Sequence, residues 1–351
     1  MARNLTPEVA GVQGARVGDL PETVLPCRPV SATPNPSEAF AIGLDLGGTD
    51  LKSARILADG RIDRFGKRPS RAAESAEAPL DAMAEAVAEL ADGRSGALIG
   101  IGVGSPGVIH PETGALAGNT PHFPHWGAFP LRERLAGRLG ALVVVGNDAN
   151  LAALGEHRMG AARGARVSIT LTIGTGIGAG IVIDGRVLTG AWGGAGEIGH
   201  LPLGRTGILH ACGVQDCVEP EASGSGLAAL ARDWDLAPAE ARTVFAAAAA
   251  GDARAIAAIG TMVDRLGATI GAAVSLINPE VVVVGGGVAQ AGDTLMGPLR
   301  EAVLRYTMTT HRQRLRVVPA ALAEQAGVMG AGLLAWDAHV AGAPVPGPLT
   351  R

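Results

Sequence analysis

A chain of 351 residues is long for one compact domain and comfortable for two, and its formal charge of −4 supplies no broad positive field for a nucleic acid. Hydrophobic residues make up 47% but aromatics only 3%, so the cores must be filled by Ala, Val, Leu and Ile rather than by rings. Apolar runs such as 246–250 and 281–284 fall far short of the ~20 residues needed to cross a bilayer, so no membrane partner is expected.

Residues 1–38 carry Pro21, Pro26, Pro29, Pro34 and Pro36 among small and polar residues and read as a disordered or loosely docked extension. From Ala39 the grammar becomes strand (40–46), glycine turn, strand (51–57) and an Asp59-Gly60 hairpin turn. Leu80, Met83, Ala84, Val87 and Leu90 share one helical face, so a helix is expected over 80–90. A strand at 97–103, a helix at 131–139 and a strand at 141–145 follow, closing a first α/β lobe over 39–151. The grammar then restarts as a weak internal repeat: strand 168–173, the glycine-rich stretch 174–180, strand 181–183 and an Asp184-Gly185 turn. Helices at 226–234, 240–250 and 253–277, a buried strand at 281–284, a helix at 294–306, a strand at 315–319 and a last helix near 327–339 complete a second lobe over 152–325 and its C-terminal helix, 326–340. Two lobes of one pattern suggest a nucleotide held in a common cleft between two glycine turns.

Asp45-Leu46-Gly47-Gly48-Thr49 ends the first strand. Bare glycines let backbone N–H groups approach phosphate, Thr49 adds a hydroxyl, and Asp45 is placed to hold Mg2+ through water, although a structural turn with an incidental Asp fits the residues equally. Gly174-Thr175-Gly176, inside a stretch with four glycines in seven residues, points to close approach of a phosphate or of another chain segment. Gly285-Gly286-Gly287 could pack against adenine or ribose, or simply turn a strand into a helix. Lys52 and Lys67 are the only lysines and neither stands in a Gly-Lys-Ser/Thr pattern, which excludes a P-loop. Asn147-Asp148-Ala149-Asn150 follows a strand: Asp148 can accept the proton of an attacking hydroxyl, or cap the helix that begins at Ala149, and both roles can coexist.

His200, His210, Cys212 and Cys217 are four good zinc ligands within eighteen positions, bracketed by Glu197 and Glu219, which suit hydrogen bonding to a polyol. Two exposed thiols and two loop histidines are the plainer alternative. Three cysteines, Cys27 being the third, suit a reducing compartment such as the cytoplasm better than a disulfide framework.

In their order these motifs, from about Phe40 to Ala335, resemble the ROK family of sugar kinases and regulators. The resemblance implies an actin-like (ribonuclease H-like) two-lobed α/β fold and a kinase, a homodimer or dimer of dimers, that uses ATP and Mg2+ with a structural Zn2+. It makes Asp148 the base, and Asn119, Asn147, Glu197, His200 and Glu219 the sugar ligands, with His200 also on zinc. It assigns the nucleotide to Asp45, Gly47, Gly48, Thr49, Gly174, Thr175, Gly176, Gly285, Gly286 and Gly287, and packs the last helix back on the first lobe. Glucose is the expected acceptor, with another hexose or an N-acetylhexosamine as the alternative. His210 and Asp216 stand where the family has Cys and Gly, and the 119–126 loop before Trp126 looks long. A sugar-responsive regulator would need a DNA-binding module for which 38 proline-rich residues are too short; a non-catalytic sugar-binding protein would not need Asp148 and both glycine turns.

Overall fold

The computed structural model describes residues 38–93, 97–118, 120 and 122–343; the expected extension up to residue 37, and Asn119, lie outside the described residues. Strands β1 (Phe40–Leu46), β2 (Asp50–Leu57) and β3 (Ile62–Pro69) form an antiparallel meander, and β4 (Leu98–Ser105) and β5 (Val143–Asn147) extend it in parallel, in the order β3-β2-β1-β4-β5. Strands β6 (Val167–Ile173), β7 (Ile177–Ile183), β8 (Arg186–Val187), β9 (Val281–Gly285) and β10 (Arg316–Pro319) repeat this as β10-β9-β6-β7-β8. Counted within each unit, both sheets therefore run third, second, first, fourth, fifth. Strand β3 is absent from the sequence reading because Ile62-Asp63-Arg64-Phe65-Gly66-Lys67 has no apolar face; it is held by pairing with β2 and by ion pairs from Arg64 to Asp92 and from Arg68 to Glu85.

Helices α1 (Ala78–Ala91), α2 (Leu131–Leu139) and α3 (Asp148–Met159) belong to the first half of the chain. The second half has α4 (Glu219–Ala222), α5 (Gly224–Asp233), α6 (Ala241–Ala249), α7 (Ala253–Ile277), α8 (Asp293–Arg305), α9 (Thr309–Arg312) and α10 (Ala326–Val340). By length and apolar composition α7 could cross a bilayer, contrary to the reading from short runs, but Met262, Val263, Leu266, Ile270 and Val274 of one face are buried in the second core.

Period-two alternation gives each sheet a bulky face and a bare one. Phe40, Ile42, Leu44 and Leu46 meet Leu80, Met83 and Leu90 of α1, whereas Gly43 and Gly102 on the opposite face meet α10. A Cβ at Gly43 would fall 1.9 Å from Val328 O, and one at Gly102 would fall 1.8 Å from Ala331 O. The second sheet does the same: Ile169, Leu171 and Ile173 face the core with α7, while Gly178 and Gly180 lie under Ala149 and Ala153 of α3. Those two glycines are thus strand residues that admit a helix, and the turn proper is Gly174 to Gly176.

The helices that lie on the bare faces also cross each other. A Cβ at Gly155 of α3 would fall 2.4 Å from Ala326 O, and one at Gly330 of α10 would fall 1.7 Å from Leu151 O. Beside the crossing, the fully buried Glu156 carboxylate accepts the backbone N–H groups of Ala161 (2.8 Å), Ala321 (3.1 Å) and Leu322 (2.7 Å), tying the end of α3 to the chain that enters α10.

Because backbone rather than a side chain opposes the new methyl, Gly330→Ala should destabilise by about 3 kcal/mol or more. Gly260→Ala, in α7 with nothing within 4 Å of its Cβ, should stabilise by up to about 1 kcal/mol. Denaturant unfolding of the two variants checks both signs.

Candidate functional site

Asp45 ends the bare face of β1 at the start of α10, where a Cβ at Gly327 would fall 2.7 Å from its Cγ. Asp148 is the first residue of α3, and Gly104 of β4 separates the two carboxylates: its Cβ would fall 3.5 Å from Asp148 Cα and 3.7 Å from Asp45 Oδ1. The end of a sheet thus presents two carboxylates, each at a helix N-terminus, where the helix dipole favours negative charge. Burial works against it. It raises the pKa of Asp45, with the Lys52 ammonium at 3.3 Å pulling the other way, and it pushes Asp148 up to about 6, helped by the charge of Asp45 and opposed by the Ala149 N–H at 2.8 Å. The helix cap is Asn147, not Asp148: Asn147 Oδ1 accepts from Asn150 N at 3.0 Å, and its Nδ2 donates to Gly107 O at 3.1 Å. Relieved of capping, Asp148 has a carboxylate oxygen for other work.

The two glycine turns end β1 and β6, one in each sheet. Gly47 donates to Asp50 O at 2.8 Å, Thr49 is exposed, and the exposed His122 covers Gly48, whose Cβ would fall 3.1 Å from His122 Nδ1. His122 belongs to the 119–126 loop, which is anchored by stacking of Phe123, Trp126 and Phe129 and by Trp126 Nε1 donating to Ala76 O at 2.9 Å. Beside the second turn lies a cavity of about 750 Å3 lined by Gly174, Thr175 and Gly287. Gly285 and Gly286 instead pack inward, Gly286 with φ +87° against Ile173 and Gly285 against Ala320. The remaining wall, including Ser225 of α5, Arg242 and Phe245 of α6 and Val288, was not legible from sequence, because α5 and α6 read only as helices with no motif.

His200, His210, Cys212 and Cys217 converge, with ligand atoms all within 4.8 Å of one another. Nδ1 of His200 is 3.4 Å from Cys217 Sγ, and Nδ1 of His210 is 3.0 Å from Cys212 Sγ. Two imidazoles and two thiols are a tetrahedral zinc donor set, whose edges would be about 3.3–3.8 Å; rotation of the exposed Cys212 can take up the difference. The outward Nε2 atoms lie 3.8 Å from Glu197 Oε2 for His200 and 3.8 Å from Glu219 Oε1 for His210. Both pairs are close enough for charge attraction but longer than a hydrogen bond, the contact by which carboxylates orient metal-binding imidazoles. Burial also raises the pKa of Glu197, whose charge in turn raises that of Asp148. Asp216 adopts φ +54°, the conformation a glycine would take, and its Oδ1 accepts from Gly207 N at 2.6 Å, so this short polar side chain closes the loop without glycine.

The model of the ROK family matches residues 41–338. A glucokinase of Thermotoga maritima is 37% identical over 304 residues, covering 83% of this chain and 95% of that protein. A solved ROK hexokinase from Thermus thermophilus has a TM-score of 0.75 at 35% identity, over 85% of this chain and 98% of that one. The ROK family glucokinase from Streptomyces griseus, solved in complex with glucose and AMPPNP, has a TM-score of 0.74 at 32% identity, over 85% of this chain and all of that one (100%). Two sheets of one strand order, and a family match across nearly all of the described residues, establish the actin-like fold: the chain belongs to the ROK family.

Proposed function

We propose that this chain is an ATP-dependent hexokinase that transfers the γ-phosphoryl group to the 6-hydroxyl of glucose. The observation that carries the reading is Asp148, a partly buried carboxylate at the tip of β5 and the start of α3, titrating near 6 and free of capping duty. A primary alcohol is a poor nucleophile at neutral pH, and a carboxylate within reach can orient it and accept its proton as the bond to phosphorus forms. Asn147 keeps Asp148 at the first position of α3, and Glu197, His200, Glu219 and Asn119 complete the sugar ligands. The backbone of Gly47 and Gly48 with Thr49, and that of Gly174 to Gly176, supply positioned donors for the phosphates, since phosphoryl transfer rests on positioning and charge stabilisation. Gly287 completes the nucleotide site, and Gly285 and Gly286, packed inward, turn the chain that carries it. The half-buried Asp45 suits a Mg2+ ion held through water, and that ion would neutralise charge on the phosphates.

The His/Cys cluster reads as structural zinc that fixes the segment between Glu197 and Glu219. Division into lobes 39–151 and 152–325, a reducing cytoplasmic setting suited to the free thiols, and assembly as a homodimer or dimer of dimers belong to the same reading. Light scattering should return twice or four times the chain mass.

Replacing Asp148 by Asn keeps the shape but removes the base, so kcat should fall about a hundred- to ten-thousandfold while calorimetry still detects glucose. In the wild type, the base must be ionised: kcat/KM should be level well above pH 6, fall to half near pH 6 and approach a tenfold fall per unit at lower pH. A coupled assay of ADP release over hexoses and N-acetylhexosamines checks the acceptor, and more than a tenth of wild-type kcat in the Asn variant would exclude the role. Metal analysis of protein purified without chelator should find about one zinc per chain, lost in Cys212→Ala; a metal-free and fully active wild type would overturn the zinc assignment.

A further inference from the structure

Glu219 stands between the metal-type cluster and the second glycine turn. Its Oε2 accepts the Ile177 backbone N–H at 2.8 Å, and a Cβ at Gly176 would fall 2.5 Å from that same oxygen. Its Oε1 faces His210 Nε2 at 3.8 Å. The turn is closed within itself by Gly174 N donating to Gly176 O at 2.9 Å. It is also held by one short stretch of chain: Gly224 N donates to Gly174 O at 2.8 Å and Ser225 N to Thr175 O at 3.3 Å. That stretch begins at Cys217, a member of the cluster buried to 1% exposure, two residues before Glu219. Bare glycine backbone has no side chains to define its path, so its conformation is set by what holds its N–H and C=O groups.

We propose that Glu219 is a positioning residue for the nucleotide's phosphate turn, and that the His200, His210, Cys212 and Cys217 cluster governs nucleotide affinity through it. This role is distinct from contact with the sugar, and it rests on the kinase reading above. A charged carboxylate on a part-buried amide is among the stronger hydrogen bonds, and losing it frees the one amide that joins the turn to β7.

The test is calorimetric titration of the metal-bound protein with AMPPNP in the absence of sugar, and separately with glucose in the absence of nucleotide. Glu219→Ala should weaken AMPPNP binding about ten- to a hundredfold. Glu219→Gln, which keeps a carbonyl acceptor for the Ile177 N–H, should recover most of that loss. Stripping the metal from wild type with a chelator should weaken AMPPNP in the same direction and add little to Glu219→Ala, since both act through one link. If Glu219→Ala does not fold by circular dichroism, Glu219→Asp, one methylene short of the amide, takes its place with the same expected direction. Unchanged AMPPNP affinity in a folded variant overturns the proposal; if glucose affinity alone falls, Glu219 is only a sugar ligand and the kinase reading stands. A wild type that binds glucose but no AMPPNP overturns both.

Discussion

The crossing of α3 and α10 is the contact on which the rest of the molecule depends. Each helix lies on the bare face of one sheet, α3 on the second and α10 on the first, and the two touch where Gly155 and Gly330 leave backbone against backbone. Three glycines in α10, each costing a free helix about 1 kcal/mol relative to Ala, are tolerable only because close approach returns more through packing. The same absence of side chains on β1, β4 and β7 lets the helices sit deep, so the sheets and the crossing form one interlocked unit. Glu156, buried with three backbone donors, fixes where the chain enters α10 and thereby where α10 begins.

The chemistry inherits its geometry from that crossing. Asp45 and Asp148 meet at Gly104 because α10 starts beside the end of β1 and α3 starts at the end of β5. Burial and mutual repulsion raise the pKa of Asp148, and the amide of Ala149 offsets only part of this. The balance leaves a carboxylate ionised at neutral pH yet basic enough to accept a proton, which is what a general base requires. Around the cluster, His200 lies beside Glu197, and His210 beside Glu219, whose other oxygen holds the glycine turn.

By itself the sequence determined most strands and most helices, because β1 and β9 are apolar runs that end on glycine and because α1 and α7 carry apolar residues at helical spacing. It also determined the four-member His/Cys cluster, whose ligands lie close along the chain, and the two strand-end glycine turns. Tertiary structure alone decided which glycines belong to turns and which, such as Gly178 and Gly180, admit a helix, since both uses leave the same residue in the sequence. It decided that Asn147 rather than Asp148 caps α3, a matter of side-chain direction at adjacent polar positions. It placed β3 by pairing rather than by pattern, and brought α5 and α6 to the cavity through packing between segments far apart in the chain. Patterns of period two and 3.6 are local and can be read along a chain; the partner of a bare backbone or a buried carboxylate is chosen by contacts at long range.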